Sequence, residues 1–155
     1  MSKAAVGKKV PNFKAEATGG DPVSPGDYKG SKLVIYFYPK DNTPGCTTES
    51  EGFRDHFKAF QKAGAEIIGV SRDSIRSHEK FKAKLDLPFE LVSDPDEVLC
   101  GIFDVIKEKN MYGKKVLGVE RSTFLVDEKG VLRQEWRKVK VKGHVEEVLE
   151  AVESL

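Results

Sequence analysis

Two short apolar runs place the firmest limit on how this chain can fold. Residues 32–38 read KLVIYFY and stop at Pro39, and residues 65–70 read AEIIGV. Apolar runs of this length, rich in β-branched and aromatic residues, indicate strands buried on both faces of a sheet. Parallel strands need a crossover between them, and the intervening residues have the spacing of a helix. The pattern therefore predicts an α/β fold.

The rest of the chain continues the alternation of strands and helices. Helices are predicted at residues 43–63, 74–85, 94–103 and 143–155, and further strands at residues 89–92, 121–126 and 131–140. The third helix is predicted to begin at Asp94 and Pro95, a strong start signal. Residues 9–22 predict an N-terminal β-hairpin, and residues 107–115 a polar loop. Together these elements predict a mixed central sheet flanked by helices.

Size and charge bound the kind of protein. A chain of 155 residues can bury one sizeable core, so one domain over residues 1–155 is expected. A formal net charge of +1 gives no overall attraction to nucleic acid or anionic membrane, and neither is expected as a partner. The longest apolar run is too short to span a membrane, and no secretory signal is recognised at the N-terminus. A cytoplasmic location is therefore expected.

Cys46 and Cys100 are the two cysteines of the chain, too few for a disulfide scaffold. Cys100 has apolar neighbours and is interpreted as a core thiol. Cys46 follows the first buried strand, where open α/β sheets place their sites. Thr43 is a good N-cap, which puts Cys46 near the unpaired N–H groups of a helix start, while Gly45 lets a small substrate approach the backbone. Such a place favours the thiolate, the reactive form, although a merely buried cysteine remains an alternative.

Magnitudes indicate that a helix start alone is not enough. A free thiol with a pKa near 8.5 is only about 3% ionised at pH 7, and lowering that pKa to about 6 takes about 3.4 kcal/mol. A helix terminus supplies roughly 0.3–1 kcal/mol, and up to about 2 when partly buried. A second positive group is therefore expected, and arginine fits best because it is permanently charged and presents several donors.

The spacing of Pro39, Thr43 and Cys46 matches the PxxxTxxC motif of peroxiredoxins. The string at residues 36–49, YFYPKDNTPGCTTE, closely resembles the peroxiredoxin Q group, also called bacterioferritin comigratory proteins. The likeness extends through residues 53–55, 69–73 and 121–127, and so covers most of the chain. The resemblance implies a thioredoxin-like fold of peroxiredoxin type and a thiol peroxidase with no cofactor and no metal.

The same resemblance implies roles for individual residues, each with an ordinary structural alternative. Cys46 corresponds to the peroxidatic cysteine. Thr43 corresponds to a residue whose hydroxyl hydrogen-bonds the sulfur or the substrate; in the structural alternative, Thr43 serves merely as a helix cap. Pro39 corresponds to a shield over the sulfur, or it simply ends the strand. Arg121 corresponds to the required cation, or it is a surface ion-pair partner. Glu49 corresponds to an orienting group, or it is an ordinary acid in the first helical turn.

The chain departs from the group in lacking the usual resolving cysteine. Glu51 stands where many members carry it, and residues 81–84, the other usual place, contain no thiol. Cys100 is a possible but disfavoured resolver, so a one-cysteine cycle is expected. An external thiol would then regenerate the enzyme, either thioredoxin or glutathione with glutaredoxin. A monomer is expected by resemblance to the group.

Three further readings of the sequence remain for comparison with the structure. His56, His78 and His144 show no metal-ligand spacing, and a cysteine hydrolase would need one of them beside Cys46. A peroxide sensor or redox-regulated binding protein could use the same thiol. The basic segment at residues 137–142 alternates like a strand with one solvated face, and lysines on an edge strand discourage aggregation.

Overall fold

A six-stranded mixed sheet organises the chain in the computed structural model, which describes residues 3–155. Within that range the strands are β1 (Glu16–Ala17), β2 (Lys32–Phe37), β3 (Ala65–Ser71), β4 (Glu90–Ser93), β5 (Ile106–Met111), β6 (Lys114–Val119), β7 (Ser122–Val126) and β8 (Leu132–Trp136). The six-stranded sheet has the order β1-β4-β3-β2-β7-β8. Strands β2, β3 and β4 are parallel, whereas β1, β7 and β8 pair antiparallel with their neighbours. The predicted α/β fold with a mixed central sheet is therefore confirmed.

Helices cover the sheet, and β2 is buried on both faces as predicted. The helices are α1 (Pro44–Asp55), α2 (Phe57–Lys62), α3 (Ile75–Leu85), α4 (Val98–Ile102) and α5 (His144–Ser154), with a 3₁₀ turn at Pro25–Tyr28. Alternate β2 side chains enter two separate apolar clusters: Ile35 and Phe37 lie in one, and Val34 and Tyr36 in the other. None of these helices, within residues 3–155, is long and apolar enough to cross a membrane.

The long helix predicted at residues 43–63 is two helices that meet at His56. That residue has φ −100° and ψ 5°, outside the helical range, and its ring Nδ1 lies 2.9 Å from the Gly52 carbonyl oxygen. The same carbonyl accepts the His56 backbone N–H, so one acceptor holds both groups where the helix is interrupted. Aromatic packing continues across the break, because the Phe53 and Phe60 rings lie 5.8 Å apart.

The polar loop predicted at residues 107–115 is wrong, because these residues belong to the β5–β6 hairpin. Its turn is Tyr112 and Gly113, both with positive φ (53° and 78°), as the tight two-residue turns of hairpins require. Residues 107–110 read KEKN and residues 114–115 are lysines, so most of the hairpin is polar where a buried strand would be apolar. A strand this polar has the composition of a loop, which explains the error.

The start of α4 lies at Val98 rather than at Asp94. The Asp94 carboxylate accepts hydrogen bonds from the backbone N–H groups of Val98, Leu99 and Cys100, at 2.9, 3.2 and 2.8 Å. Asp94 therefore satisfies the free donors of a helix that begins four residues later. The start signal was read at the correct aspartate, but the turn between it and the helix was not predicted.

The two ends of the sheet are shorter than predicted. Strand β8 stops at Trp136, and Arg137 turns back to donate hydrogen bonds to the carbonyls of Phe103 and Asp104, at 2.8 and 2.7 Å. The basic segment at residues 137–142 is therefore not an edge strand, and the prediction for it was wrong. At the other end, the N-terminal hairpin amounts to one antiparallel bridge between Ala15 and Val23, next to β1.

Candidate active site

The register of the sheet brings Cys46 and Arg121 together, although they lie far apart in sequence. Phe37, the last residue of β2, pairs with Ser122, the first residue of β7. Arg121 therefore precedes β7 at the same edge at which the chain leaves β2 for α1. Cys46 follows in the first turn of α1, as the sequence predicted.

Arg121 makes hydrogen bonds with two acidic groups of α1. Its Nη2 donates to Cys46 Sγ at 3.4 Å, and its Nη1 donates to Glu49 Oε1 at 2.7 Å. Cys46 and Glu49 are three residues apart, so they lie on one face of the helix. The structure thus brings together the sulfur, the cation and the acid that the sequence singled out.

Glu49 is fully buried, and its environment resists ionisation. Burial raises the pKa of its carboxyl to about 7, although the charge and hydrogen bond of Arg121 act in the opposite direction. Within the described chain its Oε2 has no hydrogen-bond partner. Arg121 in turn has its pKa raised, because the two acidic neighbours outweigh the opposing effect of its own burial.

Thr43 and Pro39 occupy the loop that leads into α1. Thr43 stands at the N-cap position with extended backbone, but its hydroxyl donates to the Lys40 carbonyl at 2.8 Å and caps no helical N–H. The expected side-chain cap is therefore replaced by a bond that closes the loop on itself. Pro39 is half-buried at the end of β2, a place compatible with both of its predicted roles.

Gly45 leaves room for Arg121. A Cβ atom at this position would lie 3.1 Å from Arg121 Nη2, the nitrogen that bonds the sulfur. A larger residue would therefore displace the guanidinium. The sequence predicted a close approach at Gly45 but assigned it to substrate rather than to this side chain.

Cys46 is only 1% exposed, so its side chain lies almost entirely beneath the surface. The first turn of α1 lacks a side-chain cap. Loss of such a cap destabilises a helix by roughly 0.5–2 kcal/mol. Weakly capped helix ends are among the segments that open most easily.

A further cation near the site was missed. Lys109, on β5, donates to the Val119 carbonyl and has its pKa lowered by burial first and then by the charges of Arg121 and Arg72. The Cys46 sulfur acts on the Lys109 pKa in the opposite direction, so these groups share one electrostatic environment. Lys109 was missed because residues 107–115 were predicted to be a polar loop, and a loop prediction does not place Lys109 next to the site.

A buried network holds the loop before α1 from the other side. Asp41 accepts hydrogen bonds from the Tyr38 hydroxyl at 2.7 Å, the Ser77 hydroxyl at 2.8 Å and His78 Nδ1 at 2.8 Å. Burial would raise the pKa of Asp41, but the bonds from His78 and Tyr38 outweigh it and lower that pKa. The other ring nitrogen, His78 Nε2, lies 3.0 Å from the Val92 carbonyl oxygen.

The same network contains a group of potential metal ligands. Asp41, Asp73 and His78 place ligand atoms within 4.8 Å of one another. Both nitrogens of His78 are occupied by hydrogen bonds, and Asp73 accepts the Asp41 backbone N–H at 2.9 Å. We therefore interpret the cluster as a structural tie between the active-site loop, α3 and β4. Sequence spacing missed it because Asp41 and His78 meet only in the folded chain.

Cys100 lies on the opposite face of the sheet from Cys46. It is fully buried in the apolar cluster that contains Phe37, whereas Cys46 belongs to the cluster that contains Tyr36. Burial raises the pKa of the Cys100 thiol, and the Asp94 carboxylate adds to that effect. The expectation of a core thiol agrees with this placement.

The histidines are engaged away from the sulfur. His56 bonds the Gly52 carbonyl, His78 bonds Asp41, and His144 Nε2 lies 2.8 Å from the Thr123 hydroxyl. Burial lowers the pKa of His144 to about 4. In the part of the chain that the structure describes, the side-chain hydrogen bond of Cys46 comes from Arg121 and from no histidine. This arrangement does not supply the base of a cysteine hydrolase.

Glu49→Gln is expected to change how stability depends on pH. A carboxyl with a pKa raised from 4.5 to about 7 by folding contributes stability below pH 4.5, and loses it as the pH rises through 7. At about 1.36 kcal/mol per pKa unit, the free energy of unfolding of the wild type should fall by about 3 kcal/mol as the pH rises from 4.5 to 7. The amide variant, which does not titrate, should show no such fall. Urea unfolding on either side of this window measures the difference.

Glu51→Gln is the matched control, because that carboxyl lies on the same helix and is 41% exposed. It should leave the pH dependence of the wild type unchanged. Parallel stability curves for wild type and Glu49→Gln would contradict the assignment of a buried, reluctantly ionised carboxyl.

Comparisons with known proteins give consistent results. Residues 6–135 match the model of the AhpC/TSA family. The chain is 58% identical over 137 residues to peroxiredoxin Bcp of Xanthomonas campestris, covering 88% of this chain and 86% of the relative. It is 50% identical over 150 residues to peroxiredoxin Bcp of Bacillus subtilis, covering 97% and 96%. A solved structure of the Xanthomonas campestris bacterioferritin comigratory protein, studied for alkyl peroxide reduction, has a TM-score of 0.88 at 56% identity, covering 92% and 90%.

Proposed function

Since the chain belongs to the AhpC/TSA family, as a peroxiredoxin of the Bcp or Q group with a thioredoxin-like fold, and is a thiol peroxidase, we propose that Cys46 is the sulfur oxidised by its hydroperoxide substrate. The observation that carries this assignment is the 3.4 Å contact between Cys46 Sγ and Arg121 Nη2 at the start of α1. A guanidinium and a helix start both favour the thiolate.

The proposed reaction begins with attack of the Cys46 thiolate on the hydroperoxide. A sulfur–oxygen bond forms, the O–O bond breaks, and the sulfur becomes sulfenic acid. The other oxygen leaves as alkoxide or hydroxide and takes up a proton to become alcohol or water. Arg121 stabilises the sulfur before the reaction and the oxygen charge that develops during it. Thr43, Pro39 and Gly45 shape the loop and the helix start that hold these groups.

The proposed cycle uses one cysteine of this chain. An external thiol condenses with the sulfenic acid to give a mixed disulfide and water, and a second thiol releases the enzyme. Glu51 occupies the usual position of the resolving cysteine, and Cys100 lies on the opposite face of the sheet. Both placements support external resolution.

Thioredoxin, the usual reductant of the family, is one candidate for the external thiol. Glutathione with glutaredoxin is the second, favoured by the absence of an internal resolver at residues 51 and 81–84. We further propose that residues 1–155 act as one domain, as a monomer and in the cytoplasm, where the compartment keeps both cysteines reduced.

Hydroperoxide consumption with each reductant in turn tests this proposal. Turnover should persist with excess hydroperoxide and thiol, and mass spectrometry should find the oxidised sulfur at Cys46. A peroxide sensor would instead react once and stop. Oxidation located at Cys100, with Cys46 still reduced, would reject the assignment.

Cys100→Ala is expected to retain most of the peroxidase activity. The substitution removes a buried thiol without burying a new hydroxyl, so its main cost is a small cavity. Steady-state turnover with the preferred reductant measures the effect. A loss of turnover together with accumulation of Cys46 sulfenic acid would show that Cys100 resolves the cycle after all.

A further inference from the structure

One cation is shared by two buried acidic groups at the centre of the site. Arg121 bonds Cys46 with one terminal nitrogen and Glu49 with the other. Cys46 is 1% exposed and Glu49 is not exposed at all. If both were ionised, Arg121 would be the only cation bonded to two buried anions, because Lys109, the further cation near the site, donates to the Val119 carbonyl and, among the described residues, to neither acid. An uncompensated charge in so dry a place costs several kcal/mol. One of the two acids therefore keeps its proton.

Glu49 is the acid better suited to keep that proton. Its Oε2 is buried and has no hydrogen-bond donor within the described residues. A carboxylate oxygen without a donor is costly to bury, whereas a neutral carboxyl pays a smaller penalty. Burial also raises the Glu49 pKa to about 7, so the protonated form is present near neutral pH.

We infer that Glu49 stores the proton that the leaving oxygen of the hydroperoxide takes up, an inference that rests on the proposed role of Cys46. In the balanced step, the Cys46 thiolate, the hydroperoxide and the Glu49 carboxyl give Cys46 sulfenic acid, an alcohol and the Glu49 carboxylate. The sulfur loses two electrons, and the O–O bond takes them. The proton moves from Glu49 to the departing alkoxide.

Arg121 couples the two halves of this step. Before the reaction its charge balances the thiolate, and Glu49 is neutral. Afterwards the sulfenic acid is neutral, and the same guanidinium balances the Glu49 carboxylate through the 2.7 Å bond. The net charge of Arg121, Cys46 and Glu49 together is zero on both sides, so the guanidinium is bonded to one anion before the step and to one anion after it. Oxidation of the sulfur therefore makes release of the Glu49 proton favourable.

Glu49→Gln separates proton storage from the orienting role of the same residue. The amide oxygen can still accept the Arg121 bond, but the amide has no proton to give. An alkyl hydroperoxide leaves as a basic alkoxide and needs that proton, whereas a peroxycarboxylic acid leaves as a carboxylate and does not. We expect the variant to be oxidised at Cys46 about a hundredfold more slowly by the alkyl hydroperoxide, at the low end for general acid catalysis. Its oxidation by the peroxycarboxylic acid should change only a few-fold.

Single-turnover rates of Cys46 oxidation, followed by thiol trapping and mass spectrometry, give this ratio directly. Glu51→Gln, on the exposed side of α1, should behave as wild type with both oxidants. Equal slowing of Glu49→Gln with both oxidants, or no slowing, overturns the inference and leaves the role of Cys46 intact. If neither oxidant reacts with Cys46 in the wild type, the proposed function itself fails.

A second measurement needs no variant. In the wild-type protein, the alkyl hydroperoxide rate should fall in heavy water, because a proton moves in the step that it limits. The peroxycarboxylic acid rate should not fall. Equal solvent isotope effects for the two oxidants would contradict proton transfer from Glu49.

Discussion

Cys46→Ser is expected to abolish hydroperoxide reduction. A serine hydroxyl stays protonated beside Arg121 and cannot form a sulfenic acid, so the covalent cycle has no first step. The loss should reach roughly 10⁴-fold or more, the scale on which other covalent nucleophiles are lost. Hydroperoxide consumption with an excess of the better reductant measures the residual rate.

The variant keeps the surroundings of the site, so the loss can be assigned to chemistry. Serine is close in size to cysteine, and the Arg121–Glu49 bond at 2.7 Å does not depend on the sulfur. Cys100→Ala is the matched control, because it removes the other thiol from the opposite face of the sheet. Near-normal turnover in Cys46→Ser would show that another group reduces the hydroperoxide.

Elements whose side chains are buried were well predicted from sequence. The strand from residue 32 onward was recognised because both of its faces are buried, which leaves only apolar residues along it. Helix α3 has a local start signal in Ser74, whose hydroxyl accepts the Ser77 N–H at 3.1 Å. In both elements the local sequence preferences and the tertiary environment favour the same secondary structure.

Exposed or interrupted elements were predicted poorly. In the β5–β6 hairpin, residues 107–110 and 114–115 are polar, and residues 114–117 are exposed, so the composition of this segment resembles that of a loop. The break at His56 depends on a ring bond to the Gly52 carbonyl, which no periodicity reveals. Because the hairpin was not predicted, the position of Lys109 near the site was not predicted either.

The sequence indicated which residues form the site, but not which of them hydrogen-bond to one another. The resemblance indicated Cys46, Arg121 and Glu49 separately, and the charge argument called for a cation. That one guanidinium serves both acids depends on the pairing of Phe37 with Ser122, a tertiary fact. That no residue in the described range 3–155 donates to Glu49 Oε2 is likewise visible only once the fold surrounds that oxygen.

His78→Ala is expected to be strongly destabilising, although His78 lies outside the catalytic groups. Both ring nitrogens face oxygens, Asp41 Oδ2 at 2.8 Å and the Val92 carbonyl at 3.0 Å, and the side chain is fully buried. Its removal leaves a buried carboxylate with one donor fewer and a carbonyl without this partner. The lost hydrogen bonds and the cavity left by the ring together cost about 3–5 kcal/mol, a large share of the stability of a small protein.

Urea unfolding measures that cost, and Ser77→Ala is the control that calibrates it. Ser77 donates to the same Asp41 oxygen at 2.8 Å from a half-buried position, so its loss should cost only about 1 kcal/mol. Similar costs for the two variants would mean that the Asp41–His78 pair is no stronger than an ordinary hydrogen bond. A large cost with unchanged turnover of the folded fraction would mean that the network stabilises the fold without positioning the loop. We expect turnover to fall as well, because Asp41 lies between Pro39 and Thr43, and an untied loop no longer holds the start of α1 against Arg121.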